Sequence, residues 1–197
     1  MKTNIQHSAF NIEHPSSAGY LLVTGWLVAI FVFLVSVGGA FGQAATKATV
    51  GDQAPLITGQ TQDGKTWKLA DAVGKQAVLL YFYPKDETPG CTKEACGLRD
   101  RMGDMKKANV EVVGVSFDSA ESHQKFIAKH NLNFILLTDS DGKIADAYGV
   151  RMAGKNVARR VSFLIGMDGK ILHVTDSSSA DTHLAEMSEA VAKLKKD

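Results

Sequence analysis

Only two cysteines occur in the 197 residues, too few for a zinc ribbon or a disulfide-dense scaffold. An excess of charge of one sign is lacking as well. The 22 Lys and Arg against 21 Asp and Glu leave a net charge of +1. That balance creates no long-range field to gather nucleic acid, so a nucleic-acid partner is not expected. With 45% hydrophobic and 22% charged residues, the chain has the composition of an ordinary globular protein. Its length suits one domain once a stretch near the front is set aside.

That stretch has no charge at all. From Pro15 to Thr46 there is no acidic or basic residue, and Leu21–Val37 is nearly all apolar. Leu21–Gly42, taken as a helix, is ~33 Å long at ~1.5 Å per residue, enough to cross ~30 Å of hydrocarbon. The apolar core of a signal peptide is usually ~7–15 residues, so an uncleaved transmembrane anchor is expected. A small-x-small site at Gly42-Gln43-Ala44 keeps a cleaved, secreted form as the second possibility. Lys2 and Lys47 flank the span almost symmetrically and give the positive-inside rule little to act on. The usual outcome for one N-terminal span puts the short tail inside and the domain outside, in the periplasm. The expected organisation is a tail over 1–20, the span over 21–42, a linker over 43–49 and one domain over 50–197.

The domain alternates strand and helix. Asp63-Gly64 is a hairpin signal between Leu56–Thr58 and Thr66–Leu69. Ala77–Tyr83 and Val110–Phe117 are continuous apolar runs, as expected for strands buried on both faces. A helical stretch, Thr92–Ala108, lies between them, which makes a βαβ unit with parallel strands. Ser119–His130 reads as a helix with Ser119 at its cap. Phe134–Leu137 reads as a strand, and Lys143–Tyr148 as a short helix ended by Gly149. Val161–Ile165 and Lys170–Val174 flank a second hairpin signal, Asp168-Gly169. Thr182–Lys195 closes the chain with Leu184, Met187, Val191 and Leu194 on one helical face. The expectation is an α/β domain of thioredoxin-like order, a mixed central sheet flanked by helices.

The first buried strand runs into Pro84-Lys85-Asp86-Glu87-Thr88-Pro89-Gly90-Cys91-Thr92-Lys93-Glu94-Ala95-Cys96. This places Cys91 at the C-terminal edge of a strand, where open α/β sheets hold their reactive groups. It also falls in the first turn of a helix, whose unpaired N–H groups and dipole favour a thiolate. Pro84 and Pro89 stiffen the loop, and Gly90 permits close approach to the backbone. Thr88 is near enough to turn its hydroxyl toward the sulfur.

Pro84-x-x-x-Thr88-x-x-Cys91 resembles the active-site signature of the peroxiredoxins. The longer string YFYPKDETPGCTKEACGLRD is similar to the Q-type, or bacterioferritin-comigratory, subgroup. The resemblance continues through Gly114–Ser119 and Arg160–Ile171 and covers residues 50–195. It implies a thiol-dependent peroxidase for hydrogen peroxide and organic hydroperoxides, with no metal or haem cofactor. Cys91 would be the peroxidatic cysteine, oxidised to a sulfenic acid. Thr88 would hydrogen-bond the thiolate and the peroxide, Arg160 would hold the thiolate charged, and Pro84 would shield the site from water. Glu94 matches an acid that orients the arginine. Arg159 is the weaker candidate beside Arg160. Cys96 matches the resolving cysteine, the disulfide being reduced by thioredoxin or a thioredoxin-like protein, and the enzyme would be a monomer.

Helix geometry adds a constraint. Residues five apart in a continuous helix have Cα atoms ~8–9 Å apart, whereas a disulfide needs ~4.4–6.8 Å. A Cys91–Cys96 bond therefore requires the helix to unwind. A purely structural disulfide closing so short a loop would add only roughly 2 kcal/mol. Two different functions share part of this pattern, that of a membrane-anchored copper chaperone and that of a disulfide reductase. The first would want a C-x₃-C pair, and Arg160 would repel its cation. The second would want C-x₂-C. The histidines His123, His130, His173 and His183 lack zinc-ligand spacing and are expected at the surface or at helix ends. Lys85, Asp86 and Glu87 are expected to be solvated loop charges, and Tyr81, Phe82 and Tyr83 to pack within the sheet.

Overall fold

The structure is a computed structural model that describes residues 47–194. The expected tail, the span at Leu21–Gly42 and the linker up to residue 46 lie outside the described residues. Among the described residues, no helix is long and apolar enough to cross a membrane.

Seven strands form one mixed sheet: β1 (Thr58–Thr61), β2 (Thr66–Lys68), β3 (Ala77–Phe82), β4 (Val110–Ser116), β5 (Ile135–Thr138), β6 (Val161–Ile165) and β7 (Ile171–Asp176). Their spatial order is β2-β1-β5-β4-β3-β6-β7. β3, β4 and β5 run parallel, and the remaining pairs are antiparallel. The helices are α1 (Leu69–Ala72), α2 (Pro89–Asp100), α3 (Met102–Lys107), α4 (Ala120–His130), α5 (Lys143–Ala147) and α6 (Ala180–Leu194).

β3 shows how the layers arise. All six of its residues are buried, and side chains alternate between the two faces of a strand. Val78, Leu80 and Phe82 join one core with Val113, Val161, Phe163 and Tyr148. Ala77, Leu79 and Tyr81 join the other, beneath α2, α4 and α6, with Cys91, Leu98, Phe126, Leu184 and Met187. The helix that carries Cys91 thus packs on the same face as the odd-numbered residues of the strand that feeds it.

Three elements differ from the sequence expectation. The stretch read as one helix over Thr92–Ala108 is two, α2 beginning earlier at Pro89 and breaking at Arg101. Proline suits the first helical position, because its missing N–H would find no partner there. The first hairpin pairs β1 with β2 at Thr58↔Lys68, so its first strand lies C-terminal to Leu56. The single turn of α1 carried no sequence signal. The Ser119 cap is present, its hydroxyl accepting from Ser122 N at 3.2 Å.

Gly114 in β4 sits opposite Tyr81. A Cβ there would lie 2.8 Å from the Tyr81 ring and 2.6 Å from Leu136. Gly114→Ala is expected to lower the unfolding free energy by about 1–3 kcal/mol through overpacking, read as a lower urea midpoint at unchanged slope.

Candidate active site

The site begins where β3 leaves the sheet. Thr88 is the extended residue preceding α2, followed by Pro89, Gly90 and Cys91, so Cys91 occupies the third helical position. Its side chain is turned inward, and the residue is 2% exposed. Arg160, immediately before β6, reaches across to it: Nη2 lies 3.2 Å from Cys91 Sγ. The neighbouring antiparallel strands make this possible, because Phe82 at the end of β3 is paired with Val161 at the start of β6. Gly90 leaves the room. A Cβ at that position would come within 3.1 Å of Arg160 Nη2.

The guanidinium is held on three sides. Nη1 donates to Glu94 Oε2, Nε donates to Ser178 O at 3.3 Å, and Nη2 faces the sulfur. Burial works against the charge of Arg160, but Glu94 and Cys91 outweigh it and raise its pKa. Glu94 responds the opposite way. Burial lifts its carboxyl to about 7 although Arg160 lies beside it. Its second oxygen, Oε1, has no hydrogen-bond partner. Beyond it, His183 donates from Nε2 to Ser177 O at 2.9 Å and takes the Ser162 hydroxyl on Nδ1 at 2.7 Å. Burial lowers the His183 pKa, which keeps the ring neutral, so Nδ1 offers Glu94 no proton. Tyr81 Oη is a second buried atom without a partner. Burial, with the charges of Glu94, Asp86 and Cys91, holds Tyr81 as a neutral phenol.

A surface cleft of about 410 Å³ opens onto Arg160 and is lined by Pro84, Met152, Arg159, Ser177 and Ser178 as well. Pro84 therefore lies on the same cleft as Arg160. Arg159, on the same cleft, binds Asp176 at 2.6 Å and Gly149 O at 3.2 Å rather than the sulfur. Cys96 lies half-buried farther along α2, and both cysteines are free thiols. A guanidinium this close to Cys91 Sγ also opposes a metal cation at the sulfur.

Thr88 departs from the expectation. Its hydroxyl donates to Lys85 O at 3.0 Å, within its own turn, rather than to the sulfur. A hydroxyl has one proton to give. Asp86 departs too. It is 3% exposed, not solvated, and its carboxylate is bound by Tyr83, Ser122 and His123. His123 and His183 are core residues, 0% and 1% exposed, not surface ones. Only Tyr81 and Phe82 fit the packing expectation without addition, since Tyr83 also hydrogen-bonds. The contributions of Ser162 and His123 are not apparent from motif spacing, although signals existed. Ser162 is the one polar residue in an apolar strand, and His123 falls at helical spacing with buried Phe126.

The comparisons agree with this geometry. Residues 50–174 match the AhpC/TSA family, and the chain belongs to that family of peroxide-reducing thioredoxin-like proteins. Within it, the chain is a Bcp-type, or Q-type, peroxiredoxin. Peroxiredoxin Bcp of Escherichia coli is 47% identical over 139 residues, covering 68% of this chain and 88% of that protein. The crystal structure of peroxidoxin BcpB from Mycobacterium tuberculosis superimposes with a TM-score of 0.69 at 33% identity, covering 76% of this chain and 97% of that one. Peroxiredoxin Q of Xanthomonas campestris gives 0.63 at 31%, covering 71% and 90%. The protein is thus a thiol-dependent peroxidase with a thioredoxin-like fold.

Glu94 generates a prediction. Its carboxyl titrates near 4.5 unfolded and about 7 folded. As pH rises, the unfolded chain releases this proton first, so Glu94 progressively weakens the fold between those two values and by a constant amount above them. The stability of the wild type relative to Glu94→Gln should fall across that window and then level off, followed by urea unfolding at each pH. A difference that does not change with pH would show that Arg160 keeps Glu94 ionised throughout.

Proposed function

We propose that Cys91 is the peroxidatic cysteine, Arg160 its electrostatic partner and Cys96 its resolving cysteine. The observation that carries this reading is the 3.2 Å contact from Arg160 Nη2 to Cys91 Sγ. The Cys91 thiolate attacks one oxygen of the hydroperoxide. The O–O bond breaks, the departing oxygen leaves as water or alcohol after taking a proton, and the sulfur becomes a sulfenic acid. Negative charge builds on the leaving oxygen during this step, and the guanidinium is already in place to meet it. Glu94 holds Arg160 in position, and Pro84 limits water at the rim. Thr88 assists only after its hydroxyl leaves Lys85 O and turns to the peroxide.

Cys96 then attacks the sulfenic sulfur, expelling water and forming the Cys91–Cys96 disulfide. Both cysteines lie within the continuous helix α2, whose geometry is incompatible with that bond. Resolution therefore requires the first turns of α2 to unwind. A thioredoxin-like dithiol reduces the disulfide by thiol–disulfide exchange, and the helix re-forms. The enzyme works as a monomer on hydrogen peroxide and organic hydroperoxides.

The organisation expected from the sequence completes the proposal: tail 1–20, membrane anchor 21–42, linker 43–49 and catalytic domain 50–197 on the periplasmic side. The uncharged Leu21–Gly42 run supports the anchor.

Three experiments test this reading. Cys91→Ser should abolish peroxide consumption with a dithiol reductant, and Cys96→Ser should leave a single turnover. Arg160→Ala should slow the first oxidation by roughly 10²–10³-fold, the effect of deleting a preorganised donor to developing charge. Full activity in Cys91→Ser would end the assignment. Mass spectrometry of the N-terminus of membrane-fraction protein should find residues 1–42 retained, whereas a chain beginning near Ala45 in the soluble fraction would replace the anchor by a cleaved signal.

A further inference from the structure

The loop from Pro84 to Thr88 delivers Cys91 to Arg160, and only one of its five residues is buried. That residue is Asp86. Its carboxylate receives three hydrogen bonds: Tyr83 Oη to Oδ1 at 2.7 Å, Ser122 Oγ to Oδ2 at 2.7 Å and His123 Nδ1 to Oδ2 at 2.9 Å. The far side of the His123 ring faces Leu137 O at 3.3 Å. The backbone is tied as well, because Asp86 N donates to Asp118 Oδ2 at 2.9 Å, and that carboxylate also takes the Ser116 hydroxyl. The loop is thereby fastened to β3, β4, α4 and, through His123, β5. Burial acts to raise the Asp86 pKa, but the bonds from His123, Ser122 and Tyr83 and the His123 charge hold it below its ordinary value.

A second observation concerns the next residue. Glu87 has φ +62°, a left-handed conformation that costs a residue with a side chain about 1–2 kcal/mol. Such strain persists only where the surroundings over-determine it. Lys129 Nζ holds the Glu87 carboxylate at 2.5 Å, with His130 Nε2 at 3.5 Å. Both come from the last turn of α4, the helix that also supplies Ser122 and His123. One helix with no residue bonded to the sulfur therefore grips both acidic residues of the loop.

We infer that Asp86 and His123 are positioning residues for peroxide reduction: their buried pair clamps the Pro84–Thr88 loop to α4 and so sets the place of Cys91 relative to Arg160. The inference rests on the assignment of Cys91 and Arg160 above. It assigns the two ends of the site different fates in the cycle. α2 unwinds when the disulfide forms, whereas the clamp has no member on α2 and stays closed, preserving the loop on which α2 re-forms.

The test uses the full chain and two reactions of Cys91: oxidation by hydrogen peroxide, and alkylation by iodoacetamide at about pH 9.5, above the ~8.5 of a free thiol, where a thiolate forms without help from Arg160. Asp86→Asn and His123→Ala should each slow oxidation by about 10–100-fold, the scale of an ångström-level misplacement. Alkylation should change by less than about threefold on the same argument. His123→Asn, whose amide can replace the Nδ1–H donor to Asp86, should recover most of the oxidation rate. Folded variants that oxidise at the wild-type rate overturn the proposal. So does a parallel fall in both reactions without rescue by Asn, which marks a role in stability alone. Should the variants fail to fold, hydrogen exchange of the unmodified protein decides. The Asp86 amide should stay equally protected in the reduced and disulfide forms while residues 91–100 lose protection, and loss at Asp86 together with α2 refutes the clamp. Peroxidase activity surviving in Cys91→Ser would instead remove the underlying assignment and leave the clamp without a reaction to position.

Discussion

One guanidinium, shared between a sulfur and a buried carboxylate, is the contact on which the site depends. Arg160 lies between Cys91 Sγ and Glu94, with a third bond to the carbonyl of Ser178. A carboxylate at this depth would be hard to tolerate without it, since an isolated buried charge is strongly penalised. The arrangement is asymmetric. Glu94 bears the cost of burial, as its raised pKa and its unpartnered oxygen both record. The sulfur faces a cation already oriented, which on the proposed assignment leaves little to rearrange when charge develops on a leaving oxygen.

The rest of the domain holds this contact in register. β3 and β6 are hydrogen-bonded neighbours, and their pairing at Phe82↔Val161 fixes the distance between the loop that carries Cys91 and the strand that carries Arg160. Two hydrogen-bond networks then secure the margins. Ser162, His183 and the Ser177–Ser178 carbonyls support the arginine side. Asp86, His123, Tyr83 and Ser122 support the loop side. The two networks rise from opposite flanks of β3, one through β6 and α6, the other through β4 and α4.

Much of this was legible in the sequence, and the limits have a physical pattern. The buried strands declared themselves through continuous apolar runs, and the segment from Pro84 to Cys96 declared its chemistry through its resemblance to the peroxiredoxin signature. α2 and α3 read as one helix in the sequence because Arg101 carries no breaker signal of its own, and Gly103 lies beyond it within α3. Asp86 departs from its sequence context because the composition around it, Lys85-Asp86-Glu87, reads as a solvated turn. Its burial depends on partners at positions 83, 122 and 123, and only the assembled sheet brings the latter two within reach. Thr88 was expected at the sulfur on proximity alone, whereas the carbonyl of Lys85 competes for its single proton. Pairwise contacts across long separations are what a one-dimensional reading fails to supply.

Arg160 follows Cys91 by 69 positions in the chain. During synthesis the sulfur therefore emerges long before the guanidinium that faces it in the folded domain. With Arg160 proposed as the electrostatic partner of Cys91, full reactivity would appear only once β6 has docked beside β3. Under that proposal, peroxide turnover doubles as a certificate of complete tertiary assembly, and a molecule that has lost its later strands would lose most of its chemistry before it loses its cysteine.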